Sequence, residues 1–148
     1  MFAIDTNILV YAHNRDSGFH RPAIGFIEKV MNNRDEKGNV DICIPVQVLM
    51  EFVNVMTRQS LPRALKLEEA IDIISQYNLS GARIVDHRPS QLKTFIDLLM
   101  SVRSRKKVFD IALAATLKDN GIEGLYTANV ADFAPFKFLR VVNPLLSR

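Results

Sequence analysis

Five short apolar runs, separated by stretches whose apolar residues recur at helical spacing, constrain this chain more than any other feature. Phe2-Ala3-Ile4 reads as a buried strand that stops at Asp5, and Thr6 or Asn7 can cap a helix reaching about Ala12. After a polar loop over 13–18, Ala23, Ile24, Ile27, Val30 and Met31 mark a helix over 21–32. Val40 to Ile44 is β-branched and apolar, which predicts a second strand. Pro45 suits the first turn of the next helix, where its missing N–H does no harm. Val46, Leu49, Val53 and Met56 form the stripe of that helix, which extends to about Gln59 and is broken by Leu61-Pro62. Leu67, Ala70, Ile71 and Ile74 mark a further helix, and Arg83-Ile84-Val85 a short strand. Pro89 opens a helix with the stripe Leu92, Phe95, Ile96 and Leu99. A strongly apolar helix runs from Val108 to Lys118 and stops at Asn120-Gly121, residues that tolerate the left-handed conformation. Strands over 124–127 and 139–142 complete the pattern. Strands alternating with helices imply an α/β fold, with a parallel sheet covered on both faces.

The 148 residues, 48% of them hydrophobic, predict a single domain, 1–148, with a core that needs no staples. Cys43 is the one cysteine and cannot form an internal disulfide, which fits a reducing cytoplasm. No basic region followed by an apolar core opens the chain, so a signal peptide is not expected. No apolar run is long enough to cross a bilayer. A cytoplasmic protein with no membrane partner is the expectation. The formal charge of +3 is too mild to identify a nucleic-acid binder. Its distribution is more informative, because Arg103, Arg105, Lys106 and Lys107 crowd together just before Asp110. That cluster is either a solvated helix end or a grip for phosphates.

Three of the sixteen acids, Asp5, Asp110 and Asp132, stand apart, and Glu51 is more ambiguous. Asp97 and Asp72 are typical of the rest, each sharing a polar helix face. Asp110, by contrast, lies along a stripe continued by Leu113, Ala114 and Leu117. An unpaired carboxylate there is costly and tends to take up a proton. It needs a cation, a cavity or the help of the helix dipole. Asp5 closes a strand just before a helix, either as a simple cap or at the edge where open α/β sheets bind ligands. Glu51 shares an ordinary polar face with Gln47, Asn54 and Arg58. Asp132 lies beyond the strand that ends at Thr127, on the same edge as Asp5, and either caps a short turn or joins it.

Taken in order, Asp5-Thr6-Asn7-Ile8-Leu9, a lone Glu51, Phe109-Asp110-Ile111-Ala112-Leu113-Ala114-Ala115 and Thr127-x-Asn129-x-x-Asp132-Phe133 resemble the PIN-domain family. Val10-Tyr11-Ala12-His13, Asp16-Ser17, His20 and the tail Leu139-Arg140-Val141-Val142-Asn143-Pro144-Leu145 are similar to one group of VapC-type toxin ribonucleases of type II toxin–antitoxin systems. The likeness covers essentially the whole chain. It implies a three-layer α/β/α sandwich around a mainly parallel sheet of four to five strands. It also implies an Mg²⁺- (or Mn²⁺-) dependent endoribonuclease, the toxin of a toxin–antitoxin pair. Asp5, Glu51, Asp110 and Asp132 would then be the catalytic metal ligands, with Thr6, Asn7, Thr127 and Asn129 orienting them. Many family members carry Asp where this chain has Asn129, which leaves the last ligand open between Asp132 and Asn129. Arg15, Arg103, Arg105, Lys106 and Lys107 are candidates for gripping an RNA substrate. A small antitoxin and a homodimer are the partners implied.

Hard divalent cations prefer oxygen ligands and keep several waters, so a few carboxylates suffice. The three histidines have no metal-ligand spacing; His13 and His20 flank a loop near the proposed site. A haloacid-dehalogenase-type phosphatase would need an Asp at position 7, where this chain has Asn. A receiver domain would need paired acids at the first strand, which supplies only Asp5. The competing reading is a catalytically weak PIN-like module that binds RNA or a protein without cutting.

Overall fold

The computed structural model describes residues 1–103 and 107–146. Five strands form one parallel sheet: β1 (Phe2–Ile4), β2 (Ile42–Pro45), β3 (Arg83–Val85), β4 (Gly124–Tyr126) and β5 (Arg140–Val142), in the order β3-β2-β1-β4-β5. Seven helices are seen among the described residues: α1 (Thr6–His13), α2 (His20–Asn32), α3 (Val46–Met56), α4 (Leu67–Asn78), α5 (Gln91–Val102), α6 (Val108–Asp119) and the single turn α7 (Val130–Phe133). This is the three-layer α/β/α architecture expected, with a fully parallel sheet of five strands.

The chain order explains the layers. From β1 the chain steps outward to β2 and β3, then crosses back over the sheet to β4 and β5. Parallel crossovers are right-handed, so reversing the direction of travel moves the helices to the opposite face. The packing agrees, with α1 against α2 and α3, α3 against α4, α5 against α6 and α6 against α7. The reversal falls between β1 and β4, and the crevice beyond the carboxyl ends of those two strands is where open α/β sheets take ligands. Asp5 and Thr127 are the residues that follow β1 and β4.

The core is continuous across both faces. Ile4, Ile8, Leu9, Ile44, Phe52, Ile111, Leu117 and Leu125 are fully buried. At an order of 2 kcal/mol for each such side chain, this burial is the main force holding the strands in register. Both faces of the inner strands are covered, so β1, β2 and β4 are apolar runs that do not alternate, whereas the edge strands β3 and β5 open with the exposed Arg83 and Arg140.

Several boundaries differ from expectation. β2 begins at Ile42, because Val40 forms a bridge with Arg34 and donates its N–H to the Gly81 carbonyl. Pro45 ends β2 in an extended conformation (φ −66°, ψ 142°) and lies just before α3. That helix stops at Met56, whose carbonyl accepts from Leu65 N–H as the chain turns back. Its buried side chains are Val48, Leu49, Phe52 and Met56, rather than the stripe through Val46 and Val53. Leu92 and Ile96 of α5, and Leu67 and Ile71 of α4, are exposed. Each of those helices carries a second apolar ridge on its outer side, and periodicity alone cannot choose between two ridges.

One close approach fixes the β1–β4 pairing beneath the crevice. Phe2 and Gly124 are register partners, and the Phe2 ring lies over the glycine while stacking on Tyr126 at 4.6 Å. A Cβ at position 124 would sit 2.5 Å from that ring. Gly124→Ala should therefore destabilise the protein by about 1–3 kcal/mol, the usual cost of overpacking. Urea denaturation checks this; an unchanged midpoint would show that the ring is not held against β4.

Candidate active site

Asp5 owes its position to both neighbours in the chain. Its N–H donates to the Tyr126 carbonyl at 2.9 Å, which extends the β1–β4 ladder by one residue. Its side chain caps α1, with Oδ1 accepting from Thr6 N–H at 2.7 Å. Oδ2 accepts from the Thr127 hydroxyl at 2.7 Å and from Asn7 Nδ2 at 3.0 Å. Thr127 is fully buried, and its single oxygen is saturated: it donates to Asp5 and accepts from Asn7 Nδ2 and Asn129 N–H, both at 3.0 Å. Asn7 Oδ1 accepts from Ala128 N–H at 3.1 Å. A closed polar network thus joins the ends of the two central strands.

The remaining acids approach from the helical layers. Glu51 of α3 accepts from the Thr6 hydroxyl at 2.8 Å through Oε2 and from Gln47 Nε2 at 2.9 Å through Oε1. Asp110 lies in the first turn of α6 and is half-buried; among the described residues no protein donor reaches its carboxylate. Asp132 lies in α7, where Lys107 Nζ stands 3.3 Å from its Oδ1.

Electrostatics tie the four together. Burial pushes the Asp5 carboxyl up to about 6; the hydrogen bonds from Thr127 and Thr6 oppose this, and the charges of Asp110 and Glu51 add to it. Burial also raises Asp110, with Asp132 and Glu51 adding repulsion and Lys107 partly offsetting it. Asp5 and Asp110 therefore each feel two other acids of the group. Among the described residues no three acid, histidine or cysteine side chains converge closely enough to hold an ion as they stand. The acids feel one another's charge but form no closed cage. Their donor atoms are all oxygens, which suits a cation that keeps several of its own waters, as Mg²⁺ and Mn²⁺ do.

The other expected site residues divide. Thr6, Asn7 and Thr127 touch the acids directly, as described above. Asn129 is exposed and joins the network through its backbone N–H, while the charge of Asp132 is felt at Asp110. Lys107 is paired with Asp132, and Arg103 caps α5 in the left-handed conformation (φ 51°) with Nε on the Met100 carbonyl. Arg105 and Lys106 lie outside the described residues. Arg15, with His13 and His20, lines a separate cleft at the far end of α1. Gln47 was legible only as part of a polar face. Its Nε2 also reaches the Phe109 carbonyl at 3.1 Å, so one amide joins α3 to the start of α6. Its spacing of four residues before Glu51 was the available signal.

A model of the PIN domain matches residues 2–134. The chain belongs to the PIN domain family. It is similar to ribonuclease VapC24 of Mycobacterium tuberculosis, 29% identical over 149 residues that span 99% of each chain. In structure it is similar to FitAcB from Neisseria gonorrhoeae, with a TM-score of 0.70 at 14% identity, covering 97% of this chain and 98% of that one. A toxin–antitoxin complex from Klebsiella pneumoniae gives a TM-score of 0.63 at 19% identity, over 97% and 98% of the two chains. These two likenesses establish the fold.

The repulsion around Asp110 has a measurable sign. In EDTA, Asp110→Asn should raise the melting temperature near pH 7.5 by a few degrees. The gain should shrink as pH falls toward 4, because the raised carboxyl of the parent protein takes up its own proton there. A variant less stable than the parent at pH 7.5 would show that the acids do not oppose one another. Thr127→Val should destabilise by on the order of 3 kcal/mol, since it leaves Asp5, Asn7 and Asn129 N–H each short of a partner.

Proposed function

We propose that this chain is an Mg²⁺- or Mn²⁺-dependent endoribonuclease, the toxin of a cytoplasmic toxin–antitoxin pair. The observation that carries this reading is the meeting of Asp5, which follows the first strand and feels the charges of Asp110 and Glu51, with acids of two helices in the crevice where the sheet changes direction. Family membership and the likeness to a protein named as a ribonuclease support the choice of RNA.

In this reading Asp5, Glu51, Asp110 and Asp132 hold the cation. When bound, it supplies an activated water and offsets charge on the phosphate during in-line displacement. The chain's own residues do the aiming. Thr127 and Asn7 fix one oxygen of Asp5 and Thr6 N–H the other. Thr6 and Gln47 fix the two oxygens of Glu51. Outer partners of this kind are worth about 10–100-fold in metal affinity or activity. Lys107 pairs with Asp132 at 3.3 Å, and we propose it as a contact for a phosphate oxygen of the RNA. Attack by water on phosphorus breaks the bond to the 3′-oxygen and leaves a 5′-phosphate and a 3′-hydroxyl. Arg103, Arg105 and Lys106 are the remaining candidates for the RNA backbone.

The exposed apolar side chains Leu92, Ile96, Met100 and Phe109 on α5 and α6 offer a surface for a protein partner. A second copy and a small antitoxin are the partners we propose. The likeness to a toxin–antitoxin complex supports the second. Among the described residues no helix is long and apolar enough to cross a membrane.

Purified protein should cut RNA with Mg²⁺ or Mn²⁺ and stop in EDTA. Asp110→Asn should lose at least about 100-fold, more than an outer partner is worth. Metal-independent cutting, or cutting unchanged in the variant, defeats the proposal; RNA binding without any cutting would support the non-catalytic module instead. The cation must also displace a proton from Asp5. Its affinity by calorimetry should therefore rise with pH through about 6 and level off above.

A further inference from the structure

The acids occupy one end of α1, and the other end walls a cleft of about 610 Å³ together with α2, α4 and the turn after α3. Clefts of roughly 300–1,000 Å³ are the size that encloses small ligands. Two guanidiniums, Arg15 and Arg63, reach this one from separate turns, and Ile24, Leu65 and Ile73 give it an apolar floor.

Its imidazoles are held in place. His20 Nδ1 lies 3.0 Å from the Tyr11 carbonyl oxygen, which can only accept; Nδ1 therefore carries a proton, and Nε2 is left for a ligand. His13 Nε2 lies 2.8 Å from the Tyr77 hydroxyl, and its ring stands edge-on to Phe52 and Tyr77 at 5.4 and 5.8 Å. Two acids stand nearby. Glu69 lines the cleft but accepts from Lys66 N–H at 2.7 Å, and Asp16 forms a loose, exposed ion pair with Arg63 at 3.7 Å, which water screens and a phosphate can displace. Arg15 has neither acid as an ion-pair partner among the described residues. A phosphate suits two guanidiniums on one cleft, and a flat base suits apolar side chains edged by imidazoles. A nucleotide combines the two.

Thr6, hydrogen-bonded to two of the acids, and His13, in the cleft, are the first and last residues of α1. A rise of 1.5 Å per residue separates them by about 10 Å. That spans about three residues of a stacked strand at roughly 3.4 Å each. We propose that this cleft holds one nucleotide of the RNA strand a few residues from the scissile bond, with its phosphate on Arg15 and Arg63 and its base over Ile24 and Leu65. This rests on the ribonuclease reading above. It adds to that reading a second contact point, which would set where along a strand the acids can act.

The test uses the whole chain in EDTA, so that binding is separated from cutting. The probes are adenosine 5′-monophosphate and a labelled single-stranded RNA octamer, followed by calorimetry and fluorescence anisotropy. The mononucleotide should bind and shift the side-chain NMR signals of His13 and His20. The octamer should bind at least tenfold more tightly. The double variant Arg15→Gln/Arg63→Gln should weaken both at least tenfold while keeping its melting temperature and circular dichroism. Unchanged binding in the double variant overturns the proposal, as does a mononucleotide that fails to bind or leaves both histidines unmoved. An octamer no tighter than the mononucleotide overturns the placement on an RNA strand. Should these results come out as expected while the unmodified protein never cuts RNA, the cleavage reading falls and the nucleotide cleft stands.

Discussion

The hydrogen bond from the Thr127 hydroxyl to Asp5 joins the ends of the two central strands at the place where the sheet reverses its order. Much of the site depends on it. The same hydroxyl receives Asn7 and the backbone of Asn129, so the starts of α1 and α7 are set from one buried oxygen. Asp5 in turn caps α1 and thereby presents Thr6 to Glu51. A carboxylate that would be expensive to bury alone is made tolerable by donors from the first turn of α1 and from the residue that follows β4.

Those donors do not fully win. Three of them contact the Asp5 carboxylate, yet burial and the neighbouring acids still hold its pKa above the ordinary range. The fold therefore keeps a standing excess of negative charge where its two helical layers overhang the sheet edge. Lys107 relieves part of it at Asp132. An environment of this kind, with carboxylates opposed and only partly compensated, is typical of sites whose working state includes a positive partner.

Much of the architecture was legible from the alternation of apolar runs and helical stripes, because the inner strands are covered on both faces and read as continuously apolar. Asp110 stood out on its own, since a charge on the same stripe as Leu113, Ala114 and Leu117 has few bland explanations. Asp5 and Asp132 were legible as a shared strand edge, but Glu51 came only with the family pattern. Its role depends on a contact with Thr6 from another helix, which leaves no local trace. The stripes of α4 and α5 misled for a related reason: both helices have apolar residues on the side that turned out to face solvent. The placement of Arg15 depends on the course of α1, and a sequence does not say which end of a short helix a loop residue will serve.

Gln47 carries a consequence of its own. The carbonyl it grips belongs to Phe109, whose ring is 74% exposed, and the other acceptor of the same amide is the Glu51 carboxylate. A molecule leaning on that ring is thus mechanically two hydrogen bonds from an acid of the crevice. The outer wall of the protein and its acid crevice share a single lever.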